Sequence, residues 1–254
     1  MGFLHRGHLS LIRKSKTQVD ISIVSIFVNP TQFAPNEDLE QYPRNINKDK
    51  ILLEQEGVDI LFIPDATEIY SSDFQTFVTV EEITNRLEGK FRPTHFRGVT
   101  TVVAILFNCI KPDLAFFGQK DAQQATVIKR MVTDLQFNIK VVVCPIVREK
   151  DGLALSSRNV FLNEKQRKEA LVLSRSLKLA KRMINSGIKN SDIITKKMSE
   201  IILSVASSKP DYIKIVKSEN FEEEKKLKNG KRYFVLVACK IGKTRLIDNL
   251  LIKA

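Results

Sequence analysis

Four near-continuous apolar runs do most to limit what this chain can fold into: DISIVSIFV (20–28), VDILFIP (58–64), DLAFFG (113–118) and IKVVVCPIV (139–147). Runs so rich in Val, Ile and Phe, without the polar alternation of a half-exposed sheet, are expected of parallel strands covered on both faces. Between them lie stretches of helical period: GHLSLIRKSKT, NINKDKILLEQEG ending at Gly57, RGVTTVVAILFNCI and DAQQATVIKRMVTDL. Strand alternating with helix in this way predicts an α/β fold with a doubly wound, Rossmann-like parallel sheet. Ligands of such sheets bind outside the carboxyl ends of the strands.

Past residue 147 the pattern changes to a polar loop, a long helix from about Asn163 to Ser186, another near 191–206, and the strands DYIKIVKS and RYFVLVACKIGKTRLID. This predicts a smaller C-terminal α+β domain, dividing the chain into domains at 1–147 and 148–254. The net charge of +12 raises the question of a nucleic-acid partner. Residues 1–164 hold 19 Lys and Arg against 20 Asp and Glu, so the whole excess is C-terminal. Much of it falls in RKEALVLSRSLKLAKRM, where Leu and Ala line one helical face and leave the other to cations, as on a solvated helix. No nucleic-acid partner is expected. A basic nucleic-acid module, the rival of a different class, would show salt-dependent binding and no ATP chemistry. The chain has neither a run of about 18 apolar residues nor a secretion-type leader, so a cytoplasmic protein without a membrane partner is expected. Cys109, Cys144 and Cys239 form no CxxC pair and read as buried, reduced thiols.

The chemistry-bearing residues cluster where strands should end. His5 and His8 frame Gly7 at the start of a helical pattern. A helix N-terminus offers N–H donors and partial positive charge, and two imidazoles there can donate to a phosphoryl group as it gains charge. HxxH also fits half a metal site, although no companion ligand cluster supports that. FVNPTQF places Asn29 and Gln32 in a Pro-turned loop after a strand, suited to a small polyol or amide, or simply to turn chemistry. FFGQKDAQQ leaves another strand with Gly118, a phosphate-reaching Lys120, the helix-cap candidate Asp121, and Gln124. VREKDGLALSSRN then supplies Ser156, Ser157 and Arg158, which suit a polyphosphate clamp or an ordinary helix cap.

MGFLHRGHLSLIR, VSIFVNPTQF, YPRN, RPTHFRGVTTVV, FGQKDAQQ and REKDGLALSSRN, in this order and spacing, resemble the pantoate–β-alanine ligase family. The resemblance implies a two-step reaction. (R)-Pantoate attacks the α-phosphorus of Mg2+-ATP to give pantoyl adenylate and pyrophosphate, and β-alanine then displaces AMP. It also implies an ATP site of Met1, Gly2, Phe3, Leu4, His5, Arg6, Gly7, His8, Gly118, Gln119, Lys120, Asp121, Val147, Leu155, Ser156, Ser157 and Arg158. Of these, His8, His5, Lys120, Ser156, Ser157 and Arg158 would be catalytic, His8 as proton donor. Gln32, Gln124 and Asn29 would hold pantoate and β-alanine, and Met1, Val102, Val103 and Phe117 would wall the gem-dimethyl group. Asp49 would ligate Mg2+, a solvated helix carboxylate being the alternative, and a homodimer with a lid-like C-terminal domain is implied. Arg6 and Gln119 stand where the family usually has Glu, and Thr94 where it has Gly.

Family members usually carry a further strand before this methionine. The start is therefore read as truncated or misassigned, and the chain as poorly active or unstable, since a missing strand would bare sheet edges. The alternatives are another HxGH nucleotidyltransferase, such as a phosphopantetheine adenylyltransferase, or a catalytically impaired remnant.

Overall fold

A computed structural model describes residues 2–34 and 39–254. The chain divides into two compact units. One holds residues up to Gln119 together with Gln123–Val147; the other holds Lys120–Ala122 and Arg148–Ala254.

In the first unit the elements run α1 (Arg6–Lys16), β1 (Ile23–Ser25), α2 (Ile46–Gln55), β2 (Ile60–Phe62), α3 (Ala66–Ile69), α4 (Glu88–Phe91), α5 (His95–Ile110), β3 (Leu114–Gly118), α6 (Ala122–Asp134) and β4 (Lys140–Cys144). All four apolar runs contain strands, and both ladders are parallel: β1 with β2, Ile23 opposite Ile60, and β3 with β4, Leu114 opposite Lys140. The strands are shorter than their runs. β1 and β2 are each paired over three residues, after which Ile26 donates a last N–H to Phe62 O and the chain enters the Pro30 turn. Ser22 and Asp59 close the other end, where the Asp59 carboxylate accepts the Ser22 N–H at 2.8 Å and its hydroxyl at 2.7 Å.

Apolar clusters support this unit. Leu9 and Ile12 of α1 pack with Leu4, Val24, Ile26 and Leu53; Val99, Val102, Val103 and Phe107 of α5 pack with Ala115 of β3 and Ile128 and Met131 of α6. Each of the larger side chains, Ala115 excepted, contributes roughly 1.5–3 kcal/mol by leaving water.

The second unit comprises α7 (Glu164–Glu169), α8 (Leu171–Asn185), α9 (Ser191–Leu203) and the antiparallel sheet β5 (Ser208–Lys217), β6 (Arg232–Ile241), β7 (Thr244–Lys253), in that order. The single helix expected over 163–186 is two helices that meet at Ala170, fully buried at the junction. Asn163 caps α7 in a reciprocal box with Gln166. Tyr233, Val235, Val237, Cys239 and Ile241 of β6 meet α8 and α9 in one cluster with Leu173, Leu177, Ile194, Met198 and Ile202. Gly242, at φ +58, makes the tight β6–β7 turn that an L side chain resists. Arg175, Lys178, Lys181 and Arg182 lie on the exposed face of α8, the solvated basic face read from the sequence. The thiol expectation holds for Cys144 and Cys239, whereas Cys109, near the end of α5, is exposed. Burial pushes the Cys239 thiol up to about 11.

Candidate active site

The two histidines cap their own helix. His5 is the N-cap of α1; its Nδ1 accepts the Gly7 N–H at 3.1 Å, while His8 Nδ1 accepts the His5 N–H at 3.3 Å. The rings stack 4.0 Å apart, at 26°. A ring nitrogen that accepts from a backbone amide carries no proton, so each neutral imidazole is held as the Nε2–H tautomer. The i, i+3 spacing thus does two things: it satisfies helix-end amides and sets both rings as N–H donors. The first turn holds no acid, and exposed Arg6 occupies its first position. That is the opposite of what the helix dipole favours for stability and suits an anion. The turn lies at the carboxyl end of β1, since a Cβ on Gly2 would come 3.6 Å from Ile26 and 3.8 Å from Val28.

Gln32 ends a 3-10 turn, Pro30–Gln32, just beyond the same strand. Its carbonyl accepts from Arg92 Nη2 at 3.2 Å and from His95 Nδ1 at 3.1 Å, and Arg92 Nη1 donates to His95 Nε2 at 3.3 Å. Asn29, 2% exposed, turns inward: its Oδ1 accepts from Thr31 Oγ1 and Tyr70 Oη, each at 2.9 Å, and its amide donates to Gly98 O at 3.0 Å. Burial raises the Tyr70 phenol above its ordinary value, which these hydrogen bonds only partly offset. Asn29 therefore builds the Gln32 turn and has its polar atoms engaged within the protein. Gly98 lets that turn approach α5, for a Cβ there would sit 2.4 Å from Thr31 O.

β3 ends at Gly118, followed by the 3-10 turn Gln119–Asp121. Lys120 Nζ is 3.7 Å from Asp121, and the Lys120 carbonyl accepts from Asn249 Nδ2 at 2.9 Å. On α6 the adjacent glutamines diverge. Gln123 is buried and donates to Ile83 O and Arg86 O, both at 2.8 Å, while Gln124 is partly exposed. Val102, Val103 and Phe117 share one apolar cluster. Val147 is partly exposed, and Met1 lies outside the described residues.

In the second unit Ser156 caps the 3-10 turn Ser157–Phe161, its Oγ accepting the Arg158 N–H at 3.3 Å. Ser157 is buried; Leu155 and Arg158 are partly exposed. Arg148 grips Asp248 through both guanidinium branches, at 2.6 and 2.8 Å, and also donates to Gly152 O at 3.1 Å, so the loop before this turn is fixed to β7.

Asp49 does not stand open to solvent, as the solvated-carboxylate alternative had it. It is 2% exposed, and its two oxygens accept the Phe3 and Leu4 N–H groups. Among the described residues no group of three His, Cys, Asp or Glu could hold a metal ion. The holders Arg92, His95, Tyr70, Gly98 and Gln123 escaped the sequence reading; the signal that could have found the first two is RPTHFRG, which sets the third histidine three residues after an arginine.

Parallel ladders whose carboxyl ends carry a histidine-capped helix and an amide-bearing turn define an α/β enzyme of the HxGH nucleotide-using class. The family model described as pantoate-beta-alanine ligase matches residues 1–251. The pantothenate synthetase of Caldicellulosiruptor bescii is 54% identical over all of this chain, which spans 89% of that relative's length. The Pseudothermotoga lettingae pantothenate synthetase is 51% identical over 99% of the chain and 89% of its own length. The crystal structure of pantothenate synthetase from Thermus thermophilus superposes with a TM-score of 0.94 at 44% identity, covering 98% of this chain and 90% of that one. Pantoate-beta-alanine ligase from Francisella tularensis, complexed with beta-gamma ATP and beta-alanine, gives 0.78 at 40% identity, covering 99% and 87%. The chain belongs to the pantoate–β-alanine ligase family.

Proposed function

We propose that this chain condenses (R)-pantoate with β-alanine at the expense of ATP, through a pantoyl adenylate. The pantoate carboxylate attacks the α-phosphorus and pyrophosphate leaves. The β-alanine amine then attacks the activated carbonyl, the amine proton is lost and AMP departs. No protein nucleophile is required, so the protein positions the reactants and stabilises charge. The observation that carries this reading is the reciprocal His5–His8 cap, which holds two Nε2–H donors at one helix N-terminus.

In this reading His8, with His5 beside it, donates to the phosphoryl oxygens as charge develops. Residues Gly2–His8, Gly118–Asp121 and Val147 contact the nucleotide, with Lys120 on its phosphates. Leu155, Ser156, Ser157 and Arg158, carried by a lid-like domain at 148–254, hold the triphosphate. Gln32 and Gln124 bind pantoate and β-alanine, Asn29 holds the Gln32 turn, and Val102, Val103 and Phe117 receive the gem-dimethyl group, with Met1 assigned to both sites. Mg2+ enters with ATP, its substrate, and neutralises phosphate charge there. A homodimer and a cytoplasmic location complete the proposal; among the described residues no helix is long and apolar enough to cross a membrane.

The test is AMP release with each substrate omitted in turn, together with pyrophosphate exchange dependent on pantoate alone. We expect AMP only with all three substrates, and exchange with pantoate and ATP. His8→Ala should lower exchange by about 10²–10³-fold. Adenylation of another acceptor in place of pantoate would overturn the assignment.

A further inference from the structure

Asp49 offers a second use for a residue that the family resemblance puts forward as a Mg2+ ligand. It lies in the first turn of α2, whose N-terminal dipole favours a carboxylate. Oδ2 accepts the Phe3 N–H at 2.8 Å and Oδ1 the Leu4 N–H at 2.7 Å. Two consecutive amides aimed at one carboxylate form a small anion nest, and here the anion comes from the protein itself. The segment so held is strained: Phe3 sits at φ +49, a left-handed conformation that a bulky residue avoids unless its surroundings enforce it. Leu4 is buried against Ile12, Val24 and Leu53, and His5 follows in the extended conformation of the N-cap.

We infer that Asp49 is a positioning residue, which fixes the backbone of Phe3 and Leu4 and thereby aims the His5–His8 pair, and that it is not a magnesium ligand. The inference rests on the reading of the histidine turn as the ATP turn. Burial and two amide hydrogen bonds account for both carboxylate oxygens, and the metal is left to the nucleotide phosphates. Small displacements of catalytic groups cost rate steeply, so an anchor 44 residues from His5 can govern adenylation without touching substrate.

The experiment compares Asp49→Ala and Asp49→Asn with wild type for pantoate-dependent pyrophosphate exchange and for amide hydrogen exchange at Phe3 and Leu4. Asp49→Ala should lower kcat by about 100-fold, with KM for pantoate within about twofold. Asp49→Asn, which keeps one acceptor oxygen, should fall between. The Mg2+ concentration giving half-maximal rate should be the same in every variant that turns over. A metal ligand predicts the reverse: a Mg2+ requirement raised tenfold or more, with Phe3 and Leu4 still protected. Either that result or an Ala variant of wild-type rate overturns the proposal.

Wild type supplies a test that needs no variant to fold. In nucleotide-free protein the Phe3 and Leu4 amides should exchange slowly, and Mn2+ should not selectively broaden their resonances; fast exchange or selective broadening overturns the anchor. These readouts do not depend on turnover. Protected amides in a wild-type chain that makes no AMP would defeat the ligase reading and leave the anchor standing.

Discussion

The two compact units are held together in different ways. In the second, three strands of ten residues and two long helices build a large apolar cluster. In the first, strands of three and five residues pack into smaller clusters. The turns to which we assign its chemistry hang on side-chain-to-backbone bonds: Asp49 on Phe3 and Leu4, Arg92 and His95 on Gln32, Asn29 on Gly98, Gln123 on Ile83 and Arg86. Apolar burial is spread over many contacts, and losing one lowers stability without redirecting a functional atom. A turn held by two polar atoms loses its aim when one goes. Substitutions in the second core should therefore lower the melting temperature more than the rate, and those at the turns of the first unit should do the opposite.

The largest expected effect is in the second core. Met198 of α9 is fully buried, and Met198→Ala should cost about 2–5 kcal/mol by losing apolar contact and leaving a cavity. Below its lowered melting temperature, the rate of AMP formation should stay within about twofold of wild type. A large loss of rate in a protein of unchanged melting temperature would break the comparison.

Gly98→Ala attacks the opposite pole. The added methyl meets backbone, at 2.4 Å from Thr31 O, 2.6 Å from Thr31 C and 2.8 Å from Gln32 N, so the Gln32 turn has to move. We expect pantoate-dependent exchange to fall on the order of 100-fold, with the larger share in KM for pantoate. Wild-type kinetics would show that Gln32 does not need its observed place.

Asn249 sharpens the contrast, because it brings a bond-held turn into the core-held unit. It is 2% exposed on β7 and donates to the Lys120 carbonyl. Asn249→Ala should cost about 1–3 kcal/mol for the acceptor it leaves behind, and lower the exchange rate by about tenfold as the Lys120 turn loosens. A change in melting temperature alone would place Lys120 outside the reaction.

Which of these features the sequence revealed follows from how local their causes are. Parallel strands announce themselves in Val- and Ile-rich runs, and the start of a helix at His5 and His8 was legible too, whereas full cover on both faces was not borne out, since Ile23 of β1 and Ile60 of β2 are exposed. The break at Ala170 was not legible, because the helical pattern continues through it while the backbone turns. The partners of Asp49, Asn29 and Gln123 within the fold were hidden for another reason. Asp49 reaches residues 45 and 46 positions away, Asn29 reaches one 69 away, and Gln123 one 40 away, distances at which no periodicity survives. A buried amide and a ligand-binding amide are the same letter. Gln123 and Gln124 are neighbours in sequence, and only the fold shows which of them is consumed by the loop at Ile83.

The smallest effect tests whether bond-held geometry extends to the sheet itself. Hydrogen bonds from the Ser22 hydroxyl, and then from its backbone, hold the Asp59 carboxyl below the usual carboxylate range. A depressed folded value means that the unfolded chain takes up its proton first as pH falls. The stabilisation is therefore fully present above the ordinary carboxylate pKa and is lost as pH drops through the folded value. Ser22→Ala should lower the melting temperature slightly at neutral pH, and the gap from wild type should close as pH falls through the folded value of Asp59. Asp59 is exposed, so the difference at neutral pH should also shrink in high salt far less than an ion pair would, since a hydroxyl and an amide donate without a net charge. A gap that persists unchanged into acid would mean that Ser22 stabilises β1 by packing. The β1–β2 ladder would then belong with the core-held part of the molecule.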